Sequence, residues 1–255
     1  MASAYLSKLS EEFSLYEEII MKKCQNHFLQ TKKISKKLVL EKAFVNEKND
    51  IYHSTTIEGY HITPEDVDAL LIGKTINNSR PGHVKNKMAI LGHKFASEFM
   101  IAQIEKDFGK PRITHDLISD AYFHLFRPSV DAHILKKMDL MGYRTCSVFL
   151  RGSRYVPPSP EKIPDLMELF VQSINDVKHP IAKAILSHYF FVTIHPYPDG
   201  NGRTARLLMN YILSCSGIPW MTITADKREI YFEALQQGQL DNNILPFAKF
   251  VCELL

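Results

Sequence analysis

The stretch HPYPDGNGRTAR, residues 195–206, decides the fold of this 255-residue chain, because it combines a histidine, an acid, a glycine-rich turn and two arginines. Gly200, Asn201 and Gly202 allow a tight turn that points successive N–H groups at one place. A helix that begins just after the turn directs its positive end to the same place. The stretch therefore predicts an anion site of the kind that holds phosphate groups.

The helix after the turn is indicated by apolar residues at spacings of three and four and by a stop signal. These residues are Ala205, Leu208, Ile212 and Cys215, followed by Gly217 and Pro219. Arg203 and Arg206 lie three residues apart on this helix, so both guanidinium groups face the same phosphate oxygens. The preceding segment 181–194 has no proline or glycine, and it predicts a buried helix that ends at His195.

Two further side chains of the stretch suit phosphoryl transfer. His195 is a candidate base at the edge of the turn. Asp199 is a candidate ligand for a divalent cation, since magnesium usually takes only one or two protein carboxylates. Taken singly, each feature also has an ordinary structural interpretation, as a turn, a histidine packed before a proline, or arginines on a solvated helix face. Their combination within one short stretch favours phosphoryl chemistry.

The stretch resembles the pattern H-x-[FY]-x-[DE]-G-N-G-R-x-x-R of the Fic (filamentation induced by cAMP) family, whose members transfer AMP from ATP to a hydroxyl group of a target protein. The resemblance includes His188 upstream, continues into 207–210, and extends over residues 88–217. Tyr197 stands where phenylalanine is commoner. The resemblance implies a mainly α fold, with a Fic-type helical core and a small β-hairpin flap.

The resemblance implies a role for each residue of the stretch. His195 is implied as the base that takes the proton of a Tyr, Ser or Thr hydroxyl, and Asp199 as the ligand of Mg²⁺ or Mn²⁺. Arg203 and Arg206 are implied to hold the outer phosphates of ATP, with Arg206 nearest the γ-phosphate. The residues implied in ATP binding within the stretch are Asp199, Gly200, Asn201, Gly202, Arg203, Thr204, Ala205 and Arg206.

A second pattern lies far upstream, at residues 54–59, which read STTIEG. Ser54 and Glu58 are one helical turn apart on one face, and Gly59 is placed to end the helix in a left-handed conformation. By itself this is an ordinary helix end. Beside the Fic-like stretch it resembles the inhibitory pattern [ST]-x-x-x-E-[GN] of that family. The resemblance implies that Glu58 pairs with Arg206 in the place of the γ-phosphate, so that ATP binds with its phosphates misplaced.

Two more segments enter the site through the resemblance. Residues 151–158 (RGSRYVPP) follow a β-like run at 146–150 and end in two prolines, which predicts a hairpin or an extended edge. In the family this is the flap that holds the target by β-strand addition, here at Gly152, Ser153, Arg154 and Tyr155. The adenine pocket is implied at Tyr231, Phe232 and Gln239. Aromatic residues on a helix are otherwise ordinary core.

Helical periods dominate the rest of the chain. The apolar stripes are Leu6, Leu9, Phe13, Tyr16 and Ile20; Met88, Leu91, Phe95 and Phe99; and Ile118, Ala121 and Leu125 after a cap at Thr114. The first stripe is short, which favours core packing, with a homodimer contact as the minority alternative. Thr63 and Pro64 start another helix, and 77–82 and 106–111 read as loops.

We expect three regions along the chain. Residues 1–60 form an N-terminal helical regulatory region that carries the inhibitory helix. Residues 61–217 form the Fic core, and residues 218–255 form a C-terminal helical cap.

Composition restricts the class of protein. Apolar residues make up 45% of the chain, and the formal charge of +3 is too small to indicate nucleic-acid binding. The four cysteines are scattered without a C-x-x-C pair, which predicts reduced thiols in a cytoplasmic protein. The sequence has neither a signal-peptide pattern nor an apolar run of membrane-spanning length.

Three classes of function follow. The leading one is an auto-inhibited protein adenylyltransferase that uses ATP, modifies a protein target and also modifies itself. The second is an enzyme of the same fold that uses another nucleotide or phosphodiester donor, or that removes AMP with Glu58 aligning water. The third is a non-catalytic regulatory or antitoxin-like binding module, and such a module does not need a base such as His195.

Overall fold

The computed structural model describes residues 2–74 and 82–255, with side chains from residue 11 onward. These residues form eleven α-helices: α1 (Ala2–Lys23), α2 (Gln25–Gln30), α3 (Lys36–Ile57), α4 (Pro64–Leu71), α5 (His83–Asp107), α6 (His115–Asp131), α7 (Ile163–Asp176), α8 (Pro180–Ile194), α9 (Asn201–Cys215), α10 (Arg228–Asp241) and α11 (Leu245–Cys252). Three short 3-10 helices lie at Lys137–Leu140, Pro160–Lys162 and Ala225–Lys227. The mainly α prediction is confirmed, and the predicted loop at 77–82 falls outside the described residues except for Gly82.

The helix starts that the sequence predicts are confirmed by their caps. Thr63 accepts a hydrogen bond from the Asp66 N–H at 3.2 Å, and the Asp66 carboxylate accepts one from the Thr63 N–H at 3.0 Å. Thr114 caps α6 by accepting from the Leu117 N–H at 3.1 Å. No helix in the described part of the chain is long and apolar enough to cross a membrane.

Helices α8 and α9 lie at the centre of the molecule and carry the candidate site between them. In α8 every residue except Pro180 and Thr193 is buried, because its sequence is apolar on all faces. In α9 every residue except Gly202 is buried. The turn 195–200 joins the two helices, so the residues of the HPYPDGNGRTAR stretch are held by the most buried part of the fold.

The N-terminal helix packs into the same core. The ring of Phe13 stacks on Phe190 with centroids 3.7 Å apart, and Tyr16 meets Tyr189 edge-on at 5.7 Å. Core packing, the favoured interpretation of this stripe, is therefore confirmed for Phe13, Tyr16 and Ile20, while the side chains of Leu6 and Leu9 lie outside the described ones. One continuous core runs from Phe13 to Cys252 and is shared by all three predicted regions.

Helix α5 buries a different face from the one that its large apolar residues indicate. Met88, Leu91, Phe95 and Phe99 are only partly buried. The buried face consists of Ala89, Ile90, Gly92, His93, Ala96, Ser97, Met100 and Ile104. A Cβ atom at Gly92 would overlap the carbonyl oxygen of Leu125, so α5 and α6 approach too closely for large side chains between them. The helix itself is confirmed.

The predicted β-hairpin flap is wrong, because the described residues contain no strand in this region. Residues 146–158 form an extended loop with a turn closed by the Ser153 N–H and the Leu150 carbonyl at 3.1 Å. The next two N–H groups bond side chains: Arg154 donates to Gln236 Oε1 and Tyr155 to Ser153 Oγ. Pro157 and Pro158, which come after Val156, have no N–H. The Val156 N–H alone is left on this described arm without an acceptor, and a single donor does not form a ladder.

Candidate active site

His195 occupies the C-terminal cap of α8 in a left-handed conformation, with φ 53°. Its N–H donates to the Phe191 carbonyl at 2.9 Å. Its ring Nδ1 lies 3.3 Å from the Val192 carbonyl, a contact that a protonated Nδ1 makes, so the neutral ring leaves Nε2 as a proton acceptor. Burial, helped by the positive charge of Arg144, lowers the pKa of His195 to about 4. The imidazole is therefore neutral at pH 7 and has the protonation state of a base.

The side chain of Asn201 fixes the backbone conformation of the turn between α8 and α9. This buried amide accepts from the Tyr197 N–H at 3.0 Å and donates to the Tyr197 carbonyl at 2.7 Å. The Tyr197 ring stacks on Tyr122 with centroids 3.7 Å apart. Gly200 has φ 79°, and a Cβ atom there would come within 2.8 Å of the Phe126 ring. Only glycine suits this position, for its conformation and for its space.

Asp199 presents its carboxylate to solvent at the mouth of the turn. The side chain is 56% exposed and lies 4.0 Å from Nη2 of Arg203. Its Oδ1 accepts from the Gly200 N–H at 2.6 Å, which fixes the carboxylate at the start of α9. The structure thus leaves a hard oxygen donor open beside the positive end of a buried helix.

Arg203 is buried between two aromatic rings. Its guanidinium carbon lies 5.3 Å from the ring centroids of both Tyr60 and Phe126, and its Nη2 donates to the Tyr60 hydroxyl at 3.5 Å. The side chain is 1% exposed, yet its Nε has no hydrogen-bond partner. Tyr60, which the sequence analysis missed, follows Gly59 directly. A mostly apolar cavity of about 870 Å³ opens beside this group and includes Asp199 in its wall.

Arg206 is bound by the end of α3. Its Nη2 lies 2.7 Å from Glu58 Oε1 and donates to the Ser54 carbonyl at 2.9 Å, and its Nε donates to Ser54 Oγ at 2.8 Å. Glu58 therefore contacts the guanidinium through one oxygen, because Ser54 accepts from its Nε and shares its Nη2. Although burial opposes its charge, the neighbouring Glu58 and Tyr231 raise the pKa of Arg206. Glu58 also covers Gly202, where a Cβ atom would overlap its Oε1.

Tyr231 is buried against Arg206, so its ring is not exposed as the adenine-binding face that the family resemblance implies. The ring is 1% exposed and packs against Phe247 and Phe250. Its hydroxyl accepts from Arg206 Nη1 at 3.3 Å and lies 2.9 Å from His188 Nε2. Burial keeps the pKa of His188 well below its usual value, so the ring is neutral and its Nε2 is available to accept a hydrogen bond from the Tyr231 hydroxyl.

The other two predicted adenine contacts lie nearer the surface of α10. Phe232 is 38% exposed, and the Arg228 guanidinium lies 4.7 Å from its ring centroid. The Nε of Arg228 donates to the Ile57 carbonyl at 2.8 Å, so the same residue touches the end of α3. Gln239 is half-buried and donates to Thr193 Oγ1 at 3.4 Å.

The predicted flap residues are tied to the site by side chains. The Tyr155 hydroxyl donates to the carbonyl of Thr193, two residues before His195, at 3.0 Å. Ser153 Oγ donates to Gln236 Oε1 at 3.2 Å. Gly152 and Arg154 are exposed. Arg144, whose position no sequence pattern indicates, is buried at 3% exposure and donates to the His195 carbonyl at 2.8 Å.

Sequence comparison agrees with this geometry. The profile of the Fic/DOC family matches residues 112–213, which contain α8, the turn and nearly all of α9, so this part of the chain is a Fic domain. The chain is 35% identical over 207 residues to the protein adenylyltransferase Fic of Nematostella vectensis, an alignment that covers 79% of this chain and 45% of that protein. The chain thus spans less than half the length of this curated relative.

Solved structures share the fold. A Fic domain containing signaling protein from Bacteroides thetaiotaomicron superposes with a TM-score of 0.72 at 22% identity, covering 92% of both chains. Fic-1 from C. elegans superposes with a TM-score of 0.73 at 24% identity, covering 94% of this chain and 70% of that one. The arrangement of helices extends beyond residues 112–213, since both alignments cover most of the chain.

Proposed function

We propose that this chain acts as an auto-inhibited protein adenylyltransferase, which transfers AMP from ATP to a Tyr, Ser or Thr hydroxyl of a protein target and of itself. The observation that carries the proposal is the position of the neutral His195 ring beside the open start of α9, with two buried arginines behind it. The adenylyltransferase names of the curated relatives support the same activity.

The start of α9 suits the phosphates of ATP. Gly202 is the one residue of α9 that is not buried, so the unpaired N–H groups of the first turn face an accessible space. The Arg203 Nε lacks an acceptor although its side chain is buried, and a phosphate oxygen supplies one. A buried guanidinium without a full set of acceptors is costly, which favours an anionic ligand here.

His195 suits the role of general base. The target hydroxyl oxygen bonds to the α-phosphorus, its proton passes to Nε2, the bond between that phosphorus and the bridging oxygen breaks, and pyrophosphate leaves. The contact from Nδ1 to Val192 orients the ring, and burial keeps it unprotonated.

Asp199 suits a divalent cation, Mg²⁺ or Mn²⁺. It offers an exposed carboxylate oxygen, and the described residues contain no group of three or more metal-binding side chains. A single carboxylate fits a cation that takes its remaining ligands from phosphates and water. When bound, the cation supplies neutralisation of phosphate charge, while Asp199 fixes its place at the start of α9.

Glu58 suits the role of inhibitor, together with Ser54. Their contacts occupy Nε and Nη2 of Arg206, the donors expected to hold the γ-phosphate. The Glu58 carboxylate also covers Gly202 and adds negative charge where the outer phosphates would lie. ATP that enters beside it is shifted out of line with the target hydroxyl, and a shift of about 1 Å costs roughly a hundredfold in rate.

The remaining contacts are assigned to adenine and target. Phe232 with Arg228 offers an exposed aromatic face, and Gln239 offers an amide. The flap offers the N–H group of Phe149, which donates to no described residue, to an added target strand. All four cysteines are free thiols, which supports the cytoplasmic location predicted from the sequence.

The proposal is tested with [α-³²P]ATP, magnesium and a cell lysate. Wild type, Glu58→Gly and the double variant Glu58→Gly/His195→Ala are compared side by side. We expect label on proteins with Glu58→Gly, little with wild type and none with the double variant. Equal labelling by all three, or label from [γ-³²P]ATP in place of [α-³²P]ATP, contradicts AMP transfer.

A further inference from the structure

Arg144 donates hydrogen bonds in three directions from a buried position. Its Nε donates to the His195 carbonyl and its Nη1 to the Cys146 carbonyl, both at 2.8 Å, and its Nη2 donates to the Pro158 carbonyl. Its main-chain N–H donates to the Pro196 carbonyl at 2.9 Å. The side chain thus touches the residue assigned as base and both ends of the flap.

We propose that Arg144 is a positioning residue, which sets the distance and orientation between the target-holding flap and the base through one guanidinium group. This inference rests on the adenylyltransferase function proposed above. It assigns Arg144 no contact with ATP or with the reacting atoms.

The conformation of His195 requires such support. A non-glycine residue at φ 53° lies in the left-handed region, which costs free energy unless its surroundings hold it there. Two hydrogen bonds from Arg144 meet this turn, one at the His195 carbonyl and one at the next carbonyl, that of Pro196. They fix the peptide planes that follow the imidazole, so the direction of its Nε2 depends on Arg144.

The flap needs the same group for a different reason. Its two ends, Cys146 and Pro158, are not joined by a ladder, and Pro157 and Pro158 have no N–H with which to form one. Arg144 takes the place of the missing ladder, because its guanidinium donates one hydrogen bond to the Cys146 carbonyl and one to the Pro158 carbonyl. A target strand laid on the flap is therefore held in place by the same guanidinium group that bonds the His195 carbonyl.

A lysine does not reproduce this geometry. The three acceptors lie around a planar fork whose donors point in fixed, diverging directions, whereas an ammonium concentrates its donors at one point. Arg144→Lys therefore keeps the charge and loses part of the positioning. Arg144→Met keeps most of the apolar stem and loses all three side-chain bonds.

The test uses the full chain in the Glu58→Gly background. Steady-state AMP transfer to a protein target is measured for the Glu58→Gly parent and for the same protein with Arg144→Lys or Arg144→Met. For each protein, ATP affinity is measured by calorimetry and stability by thermal unfolding. Arg127→Lys, an exposed arginine on α6, is the matched control. Hydrogen exchange of 146–158 and 195–197 provides a readout that does not depend on activity.

We expect kcat to fall by roughly tenfold in Arg144→Lys and by about a hundredfold in Arg144→Met, the range that a displacement near 1 Å produces. The KM for the protein target should rise several-fold, about fivefold in Arg144→Met by loss of the strand edge. ATP affinity should stay within about twofold, because the phosphates are held by α9. Exchange should rise in both segments together, and Arg127→Lys should match the parent.

Unchanged kcat and target KM in a folded Arg144→Lys variant overturn the proposal. So does an equal loss of ATP affinity, because it shows a general collapse of the site. If Arg144→Met does not fold, the proposal is tested by the kcat, the target KM and the hydrogen exchange of Arg144→Lys alone. Failure of the Glu58→Gly parent to transfer AMP is a separate result that contradicts the proposed function, and the exchange experiment still tests the coupling of flap and base.

Discussion

Glu58 Oε1 lies 2.7 Å from Arg206 Nη2, across 148 positions of sequence, and joins the end of α3 to the buried helix α9. The carboxylate is 23% exposed and the guanidinium 5% exposed, so one partner faces the cleft while the other is enclosed. Removal of Glu58 leaves Arg206 held by Ser54 and Tyr231, with an Nη2 donor available for a phosphate. Glu58 is therefore the replaceable member of the pair.

Glu58→Gly should raise AMP transfer and self-modification more than tenfold over wild type, because correct placement of the phosphates is worth roughly a hundredfold. Labelling with [α-³²P]ATP measures it. Glu58→Gln, which keeps the shape and removes the charge, should give an intermediate rate. The control is Glu41→Gly, an exposed position on the same helix, which should leave the rate unchanged. Equal activation by Glu41→Gly indicates that loosening α3, and not freeing Arg206, is the cause.

His195→Ala in the Glu58→Gly background should abolish transfer and leave ATP affinity within a few-fold of the parent. A base acts on the target hydroxyl, whereas nucleotide affinity comes from the start of α9 and the arginines. Calorimetry measures the affinity, and His188→Asn serves as a second histidine variant with a structural role below Tyr231. Loss of ATP binding together with activity assigns His195 to the structure of the turn.

Transfer by Glu58→Gly should be independent of pH between about 6 and 8. A base works only when unprotonated, and the His195 pKa of about 4 means that protonation, and with it the loss of rate, begins only well below pH 6. Glu58 and Asp199 raise this pKa and Arg144 lowers it, so removing Glu58 shifts it further down. Titration of the His195 ring by NMR reports it directly. A midpoint near 6.5 contradicts the buried, neutral base.

Asp199→Ala should lose metal-dependent transfer and keep the fold. One exposed carboxylate binds magnesium weakly by itself, so metal should bind tightly only together with ATP. Titration of the protein with magnesium, with and without ATP, measures both. Asp199→Asn keeps the acceptor for the Gly200 N–H, which separates loss of the cap from loss of the metal. Tight binding without nucleotide points to a different metal site.

Phe149→Pro should slow modification of a protein target by roughly tenfold, while Phe149→Ala should do less, because only proline removes the N–H offered to an added strand. Phe149 is 81% exposed, so neither variant should disturb the core. Ser153 is a poorer position for this test, since its N–H closes the turn and its hydroxyl bonds Gln236. ATP binding and thermal unfolding are the controls. Equal rates for both variants place target recognition elsewhere.

Local patterns predicted the helices and their ends well. The caps at Thr63 and Thr114, the left-handed Gly59 and the glycine-rich start of α9 depend on residues within a few positions of each other. Because such interactions involve residues that are close together in the chain, the sequence alone could indicate them.

Long-range contacts overruled local patterns at three places. The large apolar residues of α5 lie at the margin of the core, because α6 approaches α5 at Gly92 and leaves no room for large side chains between the two helices. The flap forms no hairpin, because Arg154 donates to Gln236, 82 positions away. Tyr231 lies under Arg206 and His188, so its ring is not open to a purine.

By itself the sequence determined that this chain is mainly helical and that a histidine, an aspartate and two arginines meet at one helix start, since one short stretch carries all of them. Only the tertiary structure decided that Ser54 shares Arg206 with Glu58 and that Arg144 holds both the flap and His195. The physical reason is that a buried guanidinium needs several acceptors, and its acceptors come from whichever distant segments the packing brings within hydrogen-bond distance.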